Sequence, residues 1–156
     1  MNAHTLSTFT VGTTVHLLGT LVTLRANGSE TGGAFSLVEI AVAPGQGTPP
    51  HRHDDAEAFY VLEGTMSFVL GGQPITRNAG EFVHIPSQEP HAFRNETSAV
   101  ARMLGFNLPG GPHVAFFAEV GEHVIDGLSF PPLSPPDVPR LVEAGLRHGI
   151  TILPPG

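Results

Sequence analysis

The chain has 156 residues, of which 13% are charged and 40% hydrophobic, and its formal net charge is −7. This length is typical of one domain with a single core, and a second folded domain of any size does not fit. The chain contains no cysteine and no lysine, which excludes disulfides, thiolate metal sites and lysine Schiff bases. The acidic balance argues against a nucleic-acid partner, which normally requires a basic surface.

The sequence also argues against a membrane partner. No uninterrupted apolar stretch approaches the roughly 18–20 residues that a membrane helix needs. The N-terminal segment lacks the basic start of a signal peptide, and glycine, threonine and histidine interrupt its apolar part. The sequence therefore predicts a cytoplasmic protein.

Short apolar and β-branched segments, separated by glycine, proline and asparagine turns, follow one another along most of the chain. The predicted strands cover residues 15–24, 35–42, 58–62, 66–70, 81–85, 91–95 and 99–106. Short strands at a spacing of about 8–12 residues are typical of an antiparallel sandwich or barrel. We therefore expect an all-β barrel over residues 15–108, preceded by an N-terminal extension over residues 1–14.

Residues 109–156 are predicted to form a C-terminal arm with two short helices. The spacing of Val114, Phe117 and Val120 predicts the first helix, over residues 112–120. The arm ends in an apolar segment, so we expect it to pack on the barrel or on a partner subunit.

The second predicted helix covers residues 136–148. Ser134 is the expected N-terminal cap, and Gly149 is expected to end the helix. The proline-rich segment 130–136 before it is predicted to be a stiff, extended connector.

Four residues have the types and spacing of a metal site. On an extended strand, His51 and His53 project to the same side and can reach one ion. The three residues after His53 can form a turn that returns Glu57 to the pair, and His91 begins another predicted strand. Three imidazoles and one carboxylate suit divalent Fe, Mn, Co, Ni, Cu or Zn better than Ca²⁺ or Mg²⁺.

The same stretches resemble the paired motifs of the cupin superfamily, in particular small bacterial single-domain cupins similar to quercetin 2,3-dioxygenase. The first motif, G(x5)HxH(x3)E(x6)G, is met at every position from Gly45 to Gly64. The second motif, G(x5)PxG(x2)H(x3)N, is met at Gly80, Pro86, His91 and Asn95. Gln88 stands where the family has glycine, which leaves the backbone shape of this loop open.

The resemblance implies an antiparallel jelly-roll barrel with a metal in its mouth, paired into a homodimer. The implied ligands of one divalent transition metal per chain are His51, His53, Glu57 and His91. The implied activity is that of a dioxygenase that uses O2 to cleave a small aromatic or enolisable hydroxy-ketone, flavonol-like in the boldest version. Glu57 is then either the acceptor of the substrate's hydroxyl proton or a plain ligand.

Four apolar residues on the predicted strands have two interpretations. They either line a pocket that accepts aromatic molecules or form the core of the barrel, and a residue near the mouth can do both. These residues are Phe59, Met66, Phe68 and Phe93. Tyr60 is predicted to point outward.

Two other functions fit the same residues. One is a non-catalytic binding module, a sensor or carrier that holds a small molecule through the same metal. The other is a sugar or keto-acid isomerase, which would need charged groups for phosphate or carboxylate where the inward positions are mainly apolar.

The remaining polar residues near the motifs are predicted to have no part in the site. His84 is expected to point outward, at the surface or an interface. Asp54 and Asp55 are expected to form the solvated tip of a hairpin, and Asn95 to make hydrogen bonds at a turn or strand end. Five histidines have no partner at metal-ligand spacing and are predicted to be ordinary residues: His4, His16, His113, His123 and His148.

Overall fold

Twelve strands, two α-helices and one short 3-10 helix (Gly28–Glu30) make up the computed structural model, which describes residues 9–125 and 129–154. The strands are β1 (Thr14–Leu17), β2 (Thr20–Ala26), β3 (Ser36–Val42), β4 (His51–His53), β5 (Ala56–Glu63), β6 (Thr65–Leu70), β7 (Gln73–Asn78), β8 (Phe82–Ile85), β9 (His91–Arg94), β10 (Ala101–Leu108), β11 (Glu122–Val124) and β12 (Ile150–Ile152). The helices are α1 (Pro112–Val120) and α2 (Val138–Arg147). Most of the predicted N-terminal extension, including His4, lies outside the described residues.

The strands form two antiparallel sheets that face each other. The larger sheet has the order β11-β1-β2-β3-β10-β5-β8, and the smaller one has the order β12-β4-β9-β6-β7. Strands adjacent in sequence often lie in different sheets, as β4 and β5 do, which is typical of a jelly roll. The prediction of an antiparallel jelly-roll barrel is confirmed.

The core lies between the sheets and follows the alternation of side chains along each strand. On β5, Phe59 and Val61 are buried, whereas Tyr60 is 38% exposed, as the alternation predicted. The Phe59 ring lies 5.6 Å from that of Phe68 on β6 and 5.6 Å from that of Phe93 on β9. This aromatic cluster joins the two sheets directly below the predicted metal site.

Replacing Phe59 by alanine is expected to lower the free energy of unfolding by about 3–5 kcal/mol, because a fully buried aromatic ring leaves a cavity. Denaturant titration of the metal-free protein measures this change. Leu146→Ala is the control, since Leu146 is 62% exposed and its loss should cost no more than about 0.5 kcal/mol. An equal decrease in the free energy of unfolding of the two variants would contradict this account of the core.

Some strand boundaries differ from the prediction. The predicted strand 15–24 is split into β1 and β2 by a tight turn, in which Leu18 and Gly19 have φ angles of 54° and 74°. The strand β7 was not predicted, because its sequence is mostly polar and includes Pro74. A proline is tolerated there because β7 is an edge strand of its sheet.

The C-terminal arm packs on its own barrel. Its strand β12 pairs with β4, so that Ile150 lies opposite His53 and Ile152 opposite His51. Leu141 of α2 and Phe116 of α1 form a second small core with Ile150. The arm therefore covers the end of the barrel where the predicted metal ligands lie.

Both helices of the arm form where the sequence predicts them. The cap of α2 differs: the side chain of Asp137, not Ser134, accepts a hydrogen bond from the backbone N–H of Arg140, at 3.2 Å. Gly149 follows the helix with a φ angle of 77°, a conformation that favours glycine and ends the helix as predicted. Neither helix is long and apolar enough to span a bilayer, and none in the described ranges is.

Candidate metal centre

The four predicted ligands lie together at one end of the barrel. His51 and His53 come from β4, His91 from the start of β9, and Glu57 from β5 in the other sheet. Their ligand atoms all lie within 4.8 Å of one another. The Nε2 atoms of His53 and His91 are 3.2 and 3.1 Å from Oε1 of Glu57.

Local strand geometry brings these side chains together. Along β4, His53 is buried and His51 half-buried, whereas Arg52 between them is exposed. His51 lies directly opposite His91 in the antiparallel pairing of β4 with β9. The short connection after His53 then crosses to the larger sheet, where Glu57 is buried near the start of β5.

Each of the three imidazoles is held by a hydrogen bond from its Nδ1 to a backbone carbonyl two residues away. These bonds join His51 to Pro49 (2.9 Å), His53 to Asp55 (2.8 Å) and His91 to Glu89 (2.8 Å). Because a carbonyl oxygen only accepts, Nδ1 must carry the proton in each ring. Nε2 is then the nitrogen left for a metal, as in the carbonyl–histidine–metal arrangement of known sites.

The pKa values of the clustered side chains favour a bound cation. Burial lowers the pKa of His51 to about 3, which keeps this ring neutral. Burial lowers the pKa of His53 as well, but hydrogen bonds to Asp55 and Glu57 outweigh it and raise this pKa to about 10. Burial would raise the pKa of Glu57, but the hydrogen bonds with His53 and His91 hold it well below its ordinary value.

The donor set fits a divalent transition metal. Three imidazole nitrogens and one ionised carboxylate oxygen converge from two sheets, with no thiolate and only one hard oxygen ligand. The site favours positive charge, which a divalent ion would supply in place of protons. The cluster therefore indicates a metal site.

Gln88 takes the backbone shape that the family motif assigns to glycine. Its φ angle is 65°, in the left-handed region. Its backbone N–H donates to the carbonyl of His53 at 2.8 Å, and its side-chain amide donates to the carboxylate of Asp54. The loop that leads to His91 therefore keeps its form, and its side-chain hydrogen bond offsets part of the strain.

Replacing Gln88 by glycine is expected to change the free energy of unfolding by less than about 1 kcal/mol. Glycine removes a left-handed strain of about 1–2 kcal/mol, but it loses the Gln88–Asp54 hydrogen bond and gains unfolded-state entropy. Thermal unfolding and elemental analysis measure the two quantities that matter, stability and metal content. Loss of the metal in this variant would show that the side chain of Gln88, not the backbone, supports the site.

An apolar cavity lies beside the cluster. Its volume, including the open mouth, is about 760 Å³. His51 and Glu57 line it together with Phe59 and Phe93. Phe116, Leu141 and Ile150 of the C-terminal arm form the opposite wall.

The structure divides the four predicted pocket residues into two pairs. Phe59 and Phe93 lie on the cavity wall, but the lining does not include Met66 or Phe68. Those two side chains are 0% and 1% exposed and lie in the core between the sheets.

Two residues predicted to lie outside the site are part of it. Asp54 is exposed as predicted, but Asp55 is only 4% exposed, so the prediction of a solvated tip is wrong for Asp55. His113 was predicted to be an ordinary residue, yet its ring lies 4.4 Å from that of His53. His84 is exposed on β8, as predicted.

No spacing in the sequence could identify His113, because the contact joins α1 to β4 across 60 residues of chain. The predicted helix face of Val114, Phe117 and Val120 does pack on the barrel, but His113 and Phe116 beside it are more deeply buried than Val114 and Phe117. One feature of the sequence could have indicated that Asp55 is buried. It lies in the turn between the two predicted ligands His53 and Glu57, which both point inward.

The comparison with family models agrees with the fold and the site. Residues 38–106 match the cupin domain family model Cupin_2. This segment contains all four candidate ligands, and it is similar to the cupin domain family.

Among proteins of known function, the chain is similar to quercetin 2,3-dioxygenase of Bacillus subtilis (strain 168), with 30% identity over 136 residues. The match covers 85% of this chain but only 40% of the relative, so the chain spans less than half the length of that protein.

Among solved structures, the chain is similar to the polyketide cyclase RemF of Streptomyces resistomycificus, with a TM-score of 0.55 and 28% identity over 76% of this chain and 77% of that one. A predicted oxalate decarboxylase of Thermotoga maritima has the same TM-score of 0.55 at 20% identity, covering 58% of this chain and 80% of that one. The second likeness shows the fold alone.

Proposed function

We propose that the protein is a metal-dependent dioxygenase that acts on a small aromatic or enolisable hydroxy-ketone, flavonol-like in shape. The observation that carries this proposal is the convergence of three histidines and one glutamate on the end of an apolar cavity. The similarity to a protein named quercetin 2,3-dioxygenase supports it, because quercetin is such a hydroxy-ketone.

In this proposal, the side chains of His51, His53, Glu57 and His91 hold one divalent ion, with Fe, Mn, Co, Ni, Cu and Zn as the candidates. The ion would supply a Lewis acid and a template for the hydroxyl and carbonyl oxygens of the substrate. Glu57 lies on the cavity wall, where its carboxylate can accept the proton of the substrate's hydroxyl.

The cavity provides an apolar surface for the substrate and shields it from water. Phe59 and Phe93 offer apolar surfaces to the rings of the substrate, and the C-terminal arm excludes water from the opposite side. Both atoms of O2 enter the substrate as its carbon–carbon bond or ring is cleaved, so the reaction needs no external reductant.

Oxygen uptake tests this proposal. The metal-free protein is reconstituted with Fe, Mn, Co and Ni in turn, and each form is mixed with flavonols, catechols and β-diketones in an oxygen-electrode cell. We expect about one O2 consumed per substrate molecule with at least one metal, and none with the metal-free control. No uptake with any combination would contradict the proposal.

The two other functions predict different outcomes. A sensor or carrier would release its ligand unchanged after aerobic incubation with the metal-loaded protein. An isomerase of phosphorylated sugars or keto-acids would need cationic side chains around its substrate, but the described lining of the cavity contains no arginine. The geometry therefore favours an uncharged aromatic substrate over a phosphorylated one.

The predicted homodimer has a candidate interface on the larger sheet. Tyr60 of β5 lies opposite Phe82 of β8, and both are exposed, at 38% and 53%. A row of outward aromatic residues favours pairing with a second copy. Light scattering is expected to give twice the chain mass of 16.4 kDa, and a value near the chain mass would contradict the dimer.

A further inference from the structure

His113 lies at the candidate metal centre although its helix begins beyond the residues that match the cupin domain family. The chain turns from β10 into α1 at Gly111, whose φ angle of 130° favours glycine. This turn places His113, the second residue of α1, edge-on against His53, with the ring planes at 84°. The side chain is 7% exposed and lines the apolar cavity.

A buried carboxylate holds the His113 ring in place. Nδ1 of His113 donates to Oδ2 of Asp55 at 2.9 Å, and the side-chain amide of Asn107 donates to the same oxygen at 3.0 Å. Because the Asn107 amide can only donate, Oδ2 of Asp55 is the acceptor in both hydrogen bonds. His113 therefore carries its proton on Nδ1.

The other nitrogen of His113 is left for a ligand. Within the described ranges, its Nε2 has no hydrogen-bond partner, and the ring borders the cavity. With the proton on Nδ1, the ring offers the lone pair of Nε2 as an acceptor. A fixed acceptor in a mostly apolar wall is the kind of group that orients a small molecule and selects among related ones.

We infer that His113 is a specificity-determining residue that accepts a hydrogen bond from a hydroxyl of the substrate outside its hydroxy-ketone pair. This inference rests on the proposed function and narrows its substrate class to aromatic hydroxy-ketones that carry additional ring hydroxyls. The hydroxy-ketone pair faces Glu57 and the three metal-site histidines, and the additional hydroxyl faces His113. Asp55 and Asn107 act through His113 by fixing its orientation.

Anaerobic titration with two flavonols tests the inference. The full chain, loaded with the metal that it binds, is titrated with quercetin and with 3-hydroxyflavone, which has the hydroxy-ketone pair but no other hydroxyl. We expect His113→Phe to weaken quercetin binding about 10-fold and to change 3-hydroxyflavone binding less than about twofold. Metal content is measured in each variant, and His84→Phe, at an exposed histidine outside the site, is the matched control.

Three results would overturn the inference. His113→Phe could lose the same affinity for both flavonols, it could lose affinity for neither, or the wild-type protein could bind neither flavonol. If His113→Phe does not fold, the wild-type protein still provides a test. It is expected to bind quercetin about 10-fold more tightly than 3-hydroxyflavone, and equal affinities would also overturn the inference.

Failure of the proposed function gives a different result. Quercetin binding that depends on His113, without oxygen uptake, would refute the dioxygenase and leave the assignment of His113 intact. Oxygen uptake by the wild-type protein, together with equal losses of affinity for the two flavonols in His113→Phe, would support the dioxygenase and refute the assignment of His113.

Discussion

Replacing His53 by alanine is expected to reduce the metal content from about one ion per chain to roughly a tenth or less, and oxygen uptake with it. Loss of even an outer partner of a ligand costs about 10–100-fold in metal affinity, and His53 is itself a predicted ligand. His53 is 2% exposed, and the carbonyl of Asp55 fixes its ring with Nε2 toward Glu57. Elemental analysis of protein purified without a histidine tag measures the metal.

His84→Ala is the matched control for this experiment. His84 lies on β8 and is exposed, so its removal should leave both the metal content and the stability unchanged. His91→Ala is a second test of the same site, since Nε2 of His91 also lies 3.1 Å from Glu57. A folded His53→Ala or His91→Ala variant that keeps its full metal content would refute the candidate ligand set.

The barrel could be predicted because its signals are local. The alternation of buried and exposed residues on β5, and the turn residues between short apolar segments, depend only on neighbours in the chain. Two of the strands that the sequence did not predict, β11 and β12, form only by pairing with a distant strand. For example, β12 is three residues long and exists because it pairs with β4.

The ligand cluster could be predicted for a similar reason. His51, His53 and Glu57 lie within seven residues, and the geometry of a strand and a turn suffices to bring them together. His91 lies far away in the sequence, so its inclusion depended on its place at the start of a predicted strand and on the resemblance to the cupin motifs. The resemblance ends before α1, so it gave no information about His113.

The turn between β4 and β5 shows why Asp55 was misplaced. Adjacent aspartates between two strands usually form a solvated tip, and Asp54 does so. Asp55 instead points inward because His113 and Asn107, both far away in the sequence, donate hydrogen bonds to it. A buried carboxylate is stable only with such partners, and the sequence does not display them.

Replacing Glu57 by glutamine is expected to lower the rate of oxygen uptake per bound metal ion by about 10²–10⁴-fold. Glutamine keeps the shape of the side chain and an oxygen that can face the metal, but its amide cannot accept the proton of the substrate's hydroxyl. Metal affinity should also fall, because the neutral amide no longer compensates the charge of the ion. The rate is therefore measured with excess metal and divided by the metal content of the same sample.

The two roles left open for Glu57 predict different results in this variant. If Glu57 is the proton acceptor, the rate per bound ion falls even when the site is full, and Glu57→Asp, which keeps the carboxylate, recovers part of it. If Glu57 is only a ligand, the rate per bound ion stays near that of the wild-type protein once metal is restored. The position of Glu57 favours the first outcome, because its carboxylate borders the cavity where the hydroxyl would lie.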